Sequence, residues 1–158
     1  FNSYQAFEDN ICFMPYFYRI LFHTYPNSKF ILFYRDENEW FDSMIRHSNG
    51  KTLGNTYLHS MLYNRLDDFY KIYDENEKVD IFSTKVDNLL DLEKNKDHYI
   101  KFYKIYNRDI IEYFNHFGKD RLMHCSLEDE YKWVKLGAFL NVKVEDGYNP
   151  HENKSNSG

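Results

Sequence analysis

The sequence predicts an α/β layer with few strands and many helices, and three features of its 158 residues lead there. Lys29 to Tyr34 (KFILFY) is a short, nearly continuous apolar run, the pattern of a strand buried on both faces of a parallel sheet. Arg121 to Cys125 (RLMHC) is a candidate second strand. Around both, apolar residues recur every three or four positions, as in helices that bury one face. Helices alternating with buried strands give a sheet with helices packed on it.

Taken in order, residues 15–25 (PYFYRILFHTY) have helical spacing and are stopped by Pro26 and the turn-forming Asn27-Ser28. The first strand follows. Asp36 then offers a helix N-cap with Glu39 three residues on, a capping-box spacing, and Trp40, Met44 and Ile45 share the next helical face. The polar stretch Ser48-Asn49-Gly50-Lys51 closes that helix. Leu58, Met61, Leu62, Leu66, Phe69 and Tyr73 predict one longer helix ending at the acidic cluster Asp74 to Glu77. Residues 79–96 are ambiguous, with Val79, Ile81 and Phe82 fitting a strand and Leu89, Leu90 and Leu92 a helix. From Asp97, Tyr99, Tyr103, Tyr106, Ile110, Phe114 and Phe117 mark a long helix with Gly118 as its C′ stop. The second strand comes next, then a helix from Glu128 to Leu140 with Trp133, Leu136, Phe139 and Leu140 inward. Residues 147–158 read as a flexible polar tail.

Composition narrows the function classes. Apolar residues at 42% and aromatics at 20% require a packed core rich in rings, and the length fits a single domain over 1–158. A net charge of −5 with no basic stripe argues against binding along a nucleic-acid backbone, while leaving room for one anionic ligand held by one or two cations. Cys12 and Cys125 are far apart, without the spacing of a zinc site, and are expected to be reduced core thiols. The seven histidines show no HExxH pattern, so no metal site is expected. No run approaches the roughly 20 apolar residues of a membrane span. The expectation is a soluble chain, with the cytoplasm favoured, unless an anchor has been lost ahead of Phe1, which is not a Met. No feature speaks to oligomeric state.

In an open α/β sheet, ligands collect at the carboxyl ends of strands, where a turn leads into a helix whose first N–H groups are free. Arg35 stands at such a junction, and Ser43, eight residues on, lies on the following helix. A guanidinium fork can grip a phosphate with two parallel hydrogen bonds, and a serine hydroxyl can complete the cradle. The alternative is a strand-end arginine paired with one of the nearby carboxylates, Asp36, Glu37 or Glu39.

The segment YPNSKFILFYRDENEWFDS (Tyr25 to Ser43) resembles the sulfotransferase family's "yP-x-sKfIl-x-Rdpe-x-W-x-x-S", with the same gap of eight between Arg and Ser. AFEDN (Ala6 to Asn10), YNRDIIEYF (Tyr106 to Phe114) and DRLMHCSLEDEYKWVKLGAFL (Asp120 to Leu140) fit the same family in the same order. Residues 47–96 match nothing in that pattern. The position after Asp36 is Glu37, where the family often has proline.

The resemblance implies a P-loop-type layered fold with a short parallel sheet flanked by many helices. It implies transfer of a sulfuryl group from 3′-phosphoadenosine 5′-phosphosulfate to a hydroxyl or amine of a small molecule or glycan, without a metal. Arg35 and Ser43 would hold the donor's 3′-phosphate, Asp9 falls where the family tends to place its base, with Glu8 beside it, and Lys154 in YNPHENKS matches a closing loop able to reach a phosphate. Asp9 as a turn cap and Lys154 as part of a solvated tail are the alternatives. The family's glycine- and lysine-bearing phosphate loop has no counterpart in the sequence, so the expectation is the carboxyl-terminal part of a longer enzyme, lacking the first strand and that loop. The rival readings are a non-catalytic nucleotide-binding or interaction module that keeps the fold, and a fragment of another P-loop-type kinase.

Overall fold

The computed structural model describes residues 14–48, 56–75, 90–145 and 147–150. Asp9, Lys154, Cys12 and the ambiguous stretch up to Leu89 lie outside the described residues. Within them the order is α1 (Phe17–Thr24), β1 (Phe30–Tyr34), α2 (Glu37–Ser48), α3 (Thr56–Leu62), α4 (Leu66–Glu75), α5 (Lys96–Phe117), β2 (Leu122–Ser126) and α6 (Lys132–Leu140). β1 and β2 pair in parallel, from Phe30 opposite Leu122 to Tyr34 opposite Ser126. The mixed α/β architecture with a short parallel sheet is therefore present.

Alternation along the strands sorts the side chains. Phe30, Leu32 and Leu122 pack with Tyr18 and Phe22 of α1 and with Ile110 and Phe114 of α5. On the opposite face Phe33 meets Trp133 of α6 at 5.9 Å between ring centroids, and Cys125 is a buried free thiol. Ile31 is 45% exposed, which corrects the expectation of a strand buried on both faces. α6 reaches Phe33 but leaves Ile31 open.

Two apolar clusters share α5, which at 22 residues is about 33 Å long. Its amino-terminal half carries Tyr99 into a core with Phe41, Met44, Leu90 and Leu92, and its carboxyl-terminal half supplies Ile110 and Phe114 to the cluster beneath the sheet. Arg19 of α1 makes two bonds of 2.8 Å to the Asp109 carboxylate on α5, which also accepts from the Tyr18 hydroxyl. Gly118 ends α5 as predicted but for a different reason. Its φ of 179° is extended backbone that any residue adopts, whereas a Cβ there would stand 2.9 Å from the Phe22 ring. Phe117, expected inward, is 57% exposed.

The predicted single helix over 58–73 is two. Asn64 adopts a left-handed φ of 54° and the Arg65 N–H donates to Ser60 O at 2.7 Å, a helix-ending geometry that separates α3 from α4. α3 is also rotated relative to its apolar pattern: Thr56, His59 and Ser60 are buried while Leu58 is 39% exposed. α6 begins at Lys132, later than Glu128, because residues 126–132 form tight turns, and Leu140 is 40% exposed where it was expected inside.

Arg121 lies just before β2 instead of opening it, and binds the connection between α1 and β1. Its Nε donates to Ser28 O at 3.0 Å, Nη1 to Phe22 O at 3.0 Å, and Nη2 to Tyr25 O at 2.7 Å and Ser28 Oγ at 3.0 Å. The guanidinium lies 3.9 Å over the Phe22 ring. Replacing Arg121 with Ala strips three carbonyls of this partner and is expected to lower stability by about 3 kcal/mol, read from the urea midpoint, with Arg121→Lys recovering less than half.

Candidate functional site

Arg35 follows the last residue of β1, and α2 starts two residues later at Glu37. Asp36 caps that helix, its Oδ1 accepting the N–H groups of Asn38 at 2.9 Å and Glu39 at 3.1 Å. Only half of the expected capping box forms, because Glu39 turns toward Arg35, 3.7 Å from Nη2. The junction is fixed from α5. The Arg35 N–H donates to the Tyr103 hydroxyl at 3.0 Å, and the Tyr103 ring stacks on Trp40 at 4.4 Å with 16° between planes. Lys104 pairs with Glu37 at 2.9 Å and Lys96 with Asp42 at 3.3 Å.

The parallel register brings a residue from the far end of β2 to the same place. Leu127 N–H donates to Tyr34 O at 2.7 Å, and the following Glu128 stands 3.6 Å from Arg35 Nε. Sequence reading missed Glu128, because its approach depends on the pairing of two strands 92 residues apart in register. Arg35 thus touches two carboxylates within ion-pair range, but its Nε is shielded from solvent with no hydrogen bond. Its side chain is 33% exposed.

Two of the three acids that the sequence places around Arg35 are engaged elsewhere. Asp36 holds helix N–H groups, and the hydrogen bond from Lys104 keeps the Glu37 carboxyl below the usual carboxylate range. Ser43 is half-buried one helical turn beyond Glu39, on the same stripe of α2. Arg35 thus stands just ahead of α2 and Ser43 in its second turn, whereas Asp9 and Lys154 lie outside the described residues.

Next to this junction is a buried polar group that the sequence did not announce. Tyr99, one turn before Tyr103 on α5, is fully buried, and its hydroxyl meets His59 Nε2 at 2.9 Å and Arg65 Nη1 at 2.9 Å. Arginine can only donate, so the Tyr99 oxygen accepts from Arg65, and the direction of its bond with His59 Nε2 follows the imidazole tautomer. The other ring nitrogen, His59 Nδ1, is buried without a partner. Burial, with Arg65 adding repulsion, pushes the His59 pKa down to about 4. The signal was present only as polar residues at helical spacing, Thr56, His59 and Ser60.

The unfolded chain binds a proton on His59 near pH 6.5 and the folded chain only near pH 4. This contribution is complete above pH 6.5 and is lost as pH falls through that window, by about 3 kcal/mol. Urea unfolding at pH 7 and pH 4.5 should show the loss in the unmodified chain, and His59→Leu should remove that part of the pH slope.

Among the described residues no three His, Cys, Asp or Glu side chains gather as a metal site, and no helix is long and apolar enough to cross a membrane. No curated protein matches the chain. The sequence model of the sulfotransferase domain matches residues 1–157, the segment around Arg35 and the polar cluster included. A match over nearly the whole length, on an α/β frame with a parallel sheet, means that this chain belongs to the sulfotransferase domain family.

Proposed function

We propose that the β1–α2 junction holds the 3′-phosphate of 3′-phosphoadenosine 5′-phosphosulfate, and that the chain serves transfer of the sulfuryl group to a hydroxyl or amine of a small molecule or glycan. The observation that carries this reading is Arg35, a strand-end guanidinium with an unbonded Nε and only long contacts to carboxylates. A phosphate dianion offers such a fork two short, charge-assisted bonds. Glu39 and Glu128 oppose it, but their side chains are 59% and 48% exposed, and the Glu128 carboxylate is also held by the Ser126 hydroxyl. Exposed pairs of this kind contribute about 0–1 kcal/mol, less than a charge-assisted bond to phosphate. The residues fit a phosphate group at this point.

In the reaction, the bond between sulfur and the bridging oxygen of the donor breaks while an acceptor oxygen or nitrogen bonds to sulfur. The acceptor's proton passes to a base, for which Asp9 is the candidate, and adenosine 3′,5′-bisphosphate leaves. Arg35 and Ser43 act by fixing the nucleotide so that sulfur and acceptor meet in line. Lys154 is a further cation for the phosphates, and no residue here is required to coordinate a metal.

Calorimetric titration should show adenosine 3′,5′-bisphosphate binding at least tenfold more tightly than 5′-AMP, with Arg35→Ala losing about 2 kcal/mol and Ser43→Ala about 1 kcal/mol. Equal affinity for both nucleotides, or indifference to Arg35, would remove the site. Tyr103→Phe keeps the stack on Trp40 but withdraws the acceptor of the Arg35 N–H. It should weaken the bisphosphate several-fold, by about 1 kcal/mol, with 5′-AMP unchanged.

A further inference from the structure

Glu39 and Glu128 approach Arg35 from different elements and are held differently. Glu39, on α2, reaches the guanidinium with an exposed side chain at 3.7 Å. Glu128 comes from the turn after β2, where backbone and side chain are both anchored. The Leu127 N–H donates to Tyr34 O at 2.7 Å, the Glu128 N–H donates to Ser126 Oγ at 3.1 Å, and the Ser126 hydroxyl donates in return to Glu128 Oε2. The next acid in the chain, Asp129, is engaged elsewhere, its carboxylate accepting from the Tyr131 N–H at 2.8 Å and from the Lys135 ammonium. Glu128 is thus the acid that this turn presents to Arg35.

With Oε2 taken by Ser126, the other oxygen, Oε1, stands 3.6 Å from Arg35 Nε without a hydrogen bond to it. A carboxylate oxygen with acceptor capacity in hand therefore borders the guanidinium. An anion oxygen bonded to Nε at about 2.8 Å would lie within roughly 6.5 Å of Oε1, less than a Debye length at physiological salt. A fully ionised anion bears the resulting repulsion. An anion that still carries a proton can instead donate it to Oε1 in a charge-assisted O–H···O⁻ bond. A phosphate monoester, with a second pKa of about 6, has such a proton to give, whereas a sulfate or a phosphosulfate has none at neutral pH.

With Arg35 taken as the holder of the 3′-phosphate, we infer that Glu128 sets the specificity of that site. It favours an anion able to carry a proton, so the donor's 3′-phosphate is accepted at Arg35 while its fully ionised phosphosulfate end, or free sulfate, is turned away. Discrimination here comes from a repulsive group set against the wrong ligand. Glu39 has no second side-chain anchor among the described residues, so it moves aside for either anion and does not tell them apart.

Inorganic phosphate and inorganic sulfate are the probes, titrated into the full chain at pH 6.5 and constant ionic strength, with occupancy read from the Arg35 amide and Nε chemical shifts. Phosphate should bind about fivefold or more tightly than sulfate. Glu128→Gln keeps the side-chain shape and an acceptor for the Ser126 hydroxyl, and should erase that preference chiefly by strengthening sulfate. Glu39→Gln should strengthen both anions and leave their ratio. From pH 6 to pH 8 phosphate should weaken several-fold in the unmodified chain and not in Glu128→Gln. The charged and titratable groups around Glu128 are Arg35 and Glu39 at the β1–α2 junction, Asp129 with Lys135 of α6, and His124 of β2, whose ring lies 6.4 Å from that of Tyr34. A change in charge on any of them acts on sulfate too, so a flat sulfate affinity over the same range isolates the proton of the phosphate. Equal binding of the two anions by the unmodified chain, or an unaltered ratio in folded Glu128→Gln, would overturn the inference and leave the Arg35 site intact. Titrations that Arg35→Ala does not change would instead remove the phosphate site itself, and the role of Glu128 with it.

Discussion

The fold depends first on the four hydrogen bonds of Arg121. This side chain reaches back 93 to 99 residues to bind the carbonyls that close α1 and lead into β1. Without it Tyr25 O would keep only its bonds from Ser28, Phe22 O and Ser28 O would lose this donor, and the arginine would be a charge against an aromatic ring with no counterpart. Satisfying both at once fixes where β1 begins relative to β2. The first paired residues, Phe30 and Leu122, lie two and one positions beyond the bracketed Ser28 and Arg121. A slip of one residue would turn Ile31 and Phe33 into the side occupied by α1 and α5, so register and anchoring are one constraint.

The functional junction is the other end of the same ladder. Because both strands run in parallel for five residues, what anchors their amino ends also decides what meets at their carboxyl ends: Arg35 after Tyr34, and Glu128 after Ser126 and Leu127. The two acidic residues nearest Arg35 in sequence are drawn off by the N-terminus of α2 and by Lys104. The electrostatics of the site are thus milder than the run of acids in the sequence suggests, and a cation remains at the strand end with part of its hydrogen-bonding capacity unused.

Much of this was legible in the sequence, for identifiable reasons. β1, β2, α1, α2 and α5 were visible because uninterrupted apolar runs and sustained helical spacing are local signals that tertiary packing reinforces. Arg35 was visible because it is the first cation after the apolar run and stands immediately before an N-cap. The break at Asn64 was not, since a single left-handed asparagine leaves the apolar period of its neighbours intact. Nor was the inside of α3, where Thr56, His59 and Ser60 displace Leu58 from the core: Tyr99, distant in sequence, offers His59 a partner, and the Ser60 hydroxyl bonds back to Thr56 O. Glu128 was hidden for the same reason, being close to Arg35 only through the pairing of the strands.

The bond between the Arg35 amide and the Tyr103 hydroxyl has a consequence for the motions of the chain. An amide in a strand or helix is shielded by its own ladder, and its exposure reports the opening of that element. The Arg35 amide is shielded instead by a side chain of another helix, stacked in turn on Trp40. Its exchange with solvent is therefore set by separation of α5 from α2 and not by fraying of the sheet. One backbone proton at the strand end is a gauge of helix docking, and anything that loosens α5, whether at Tyr103 or a turn away at Tyr99, is felt at Arg35 before β1 and β2 part.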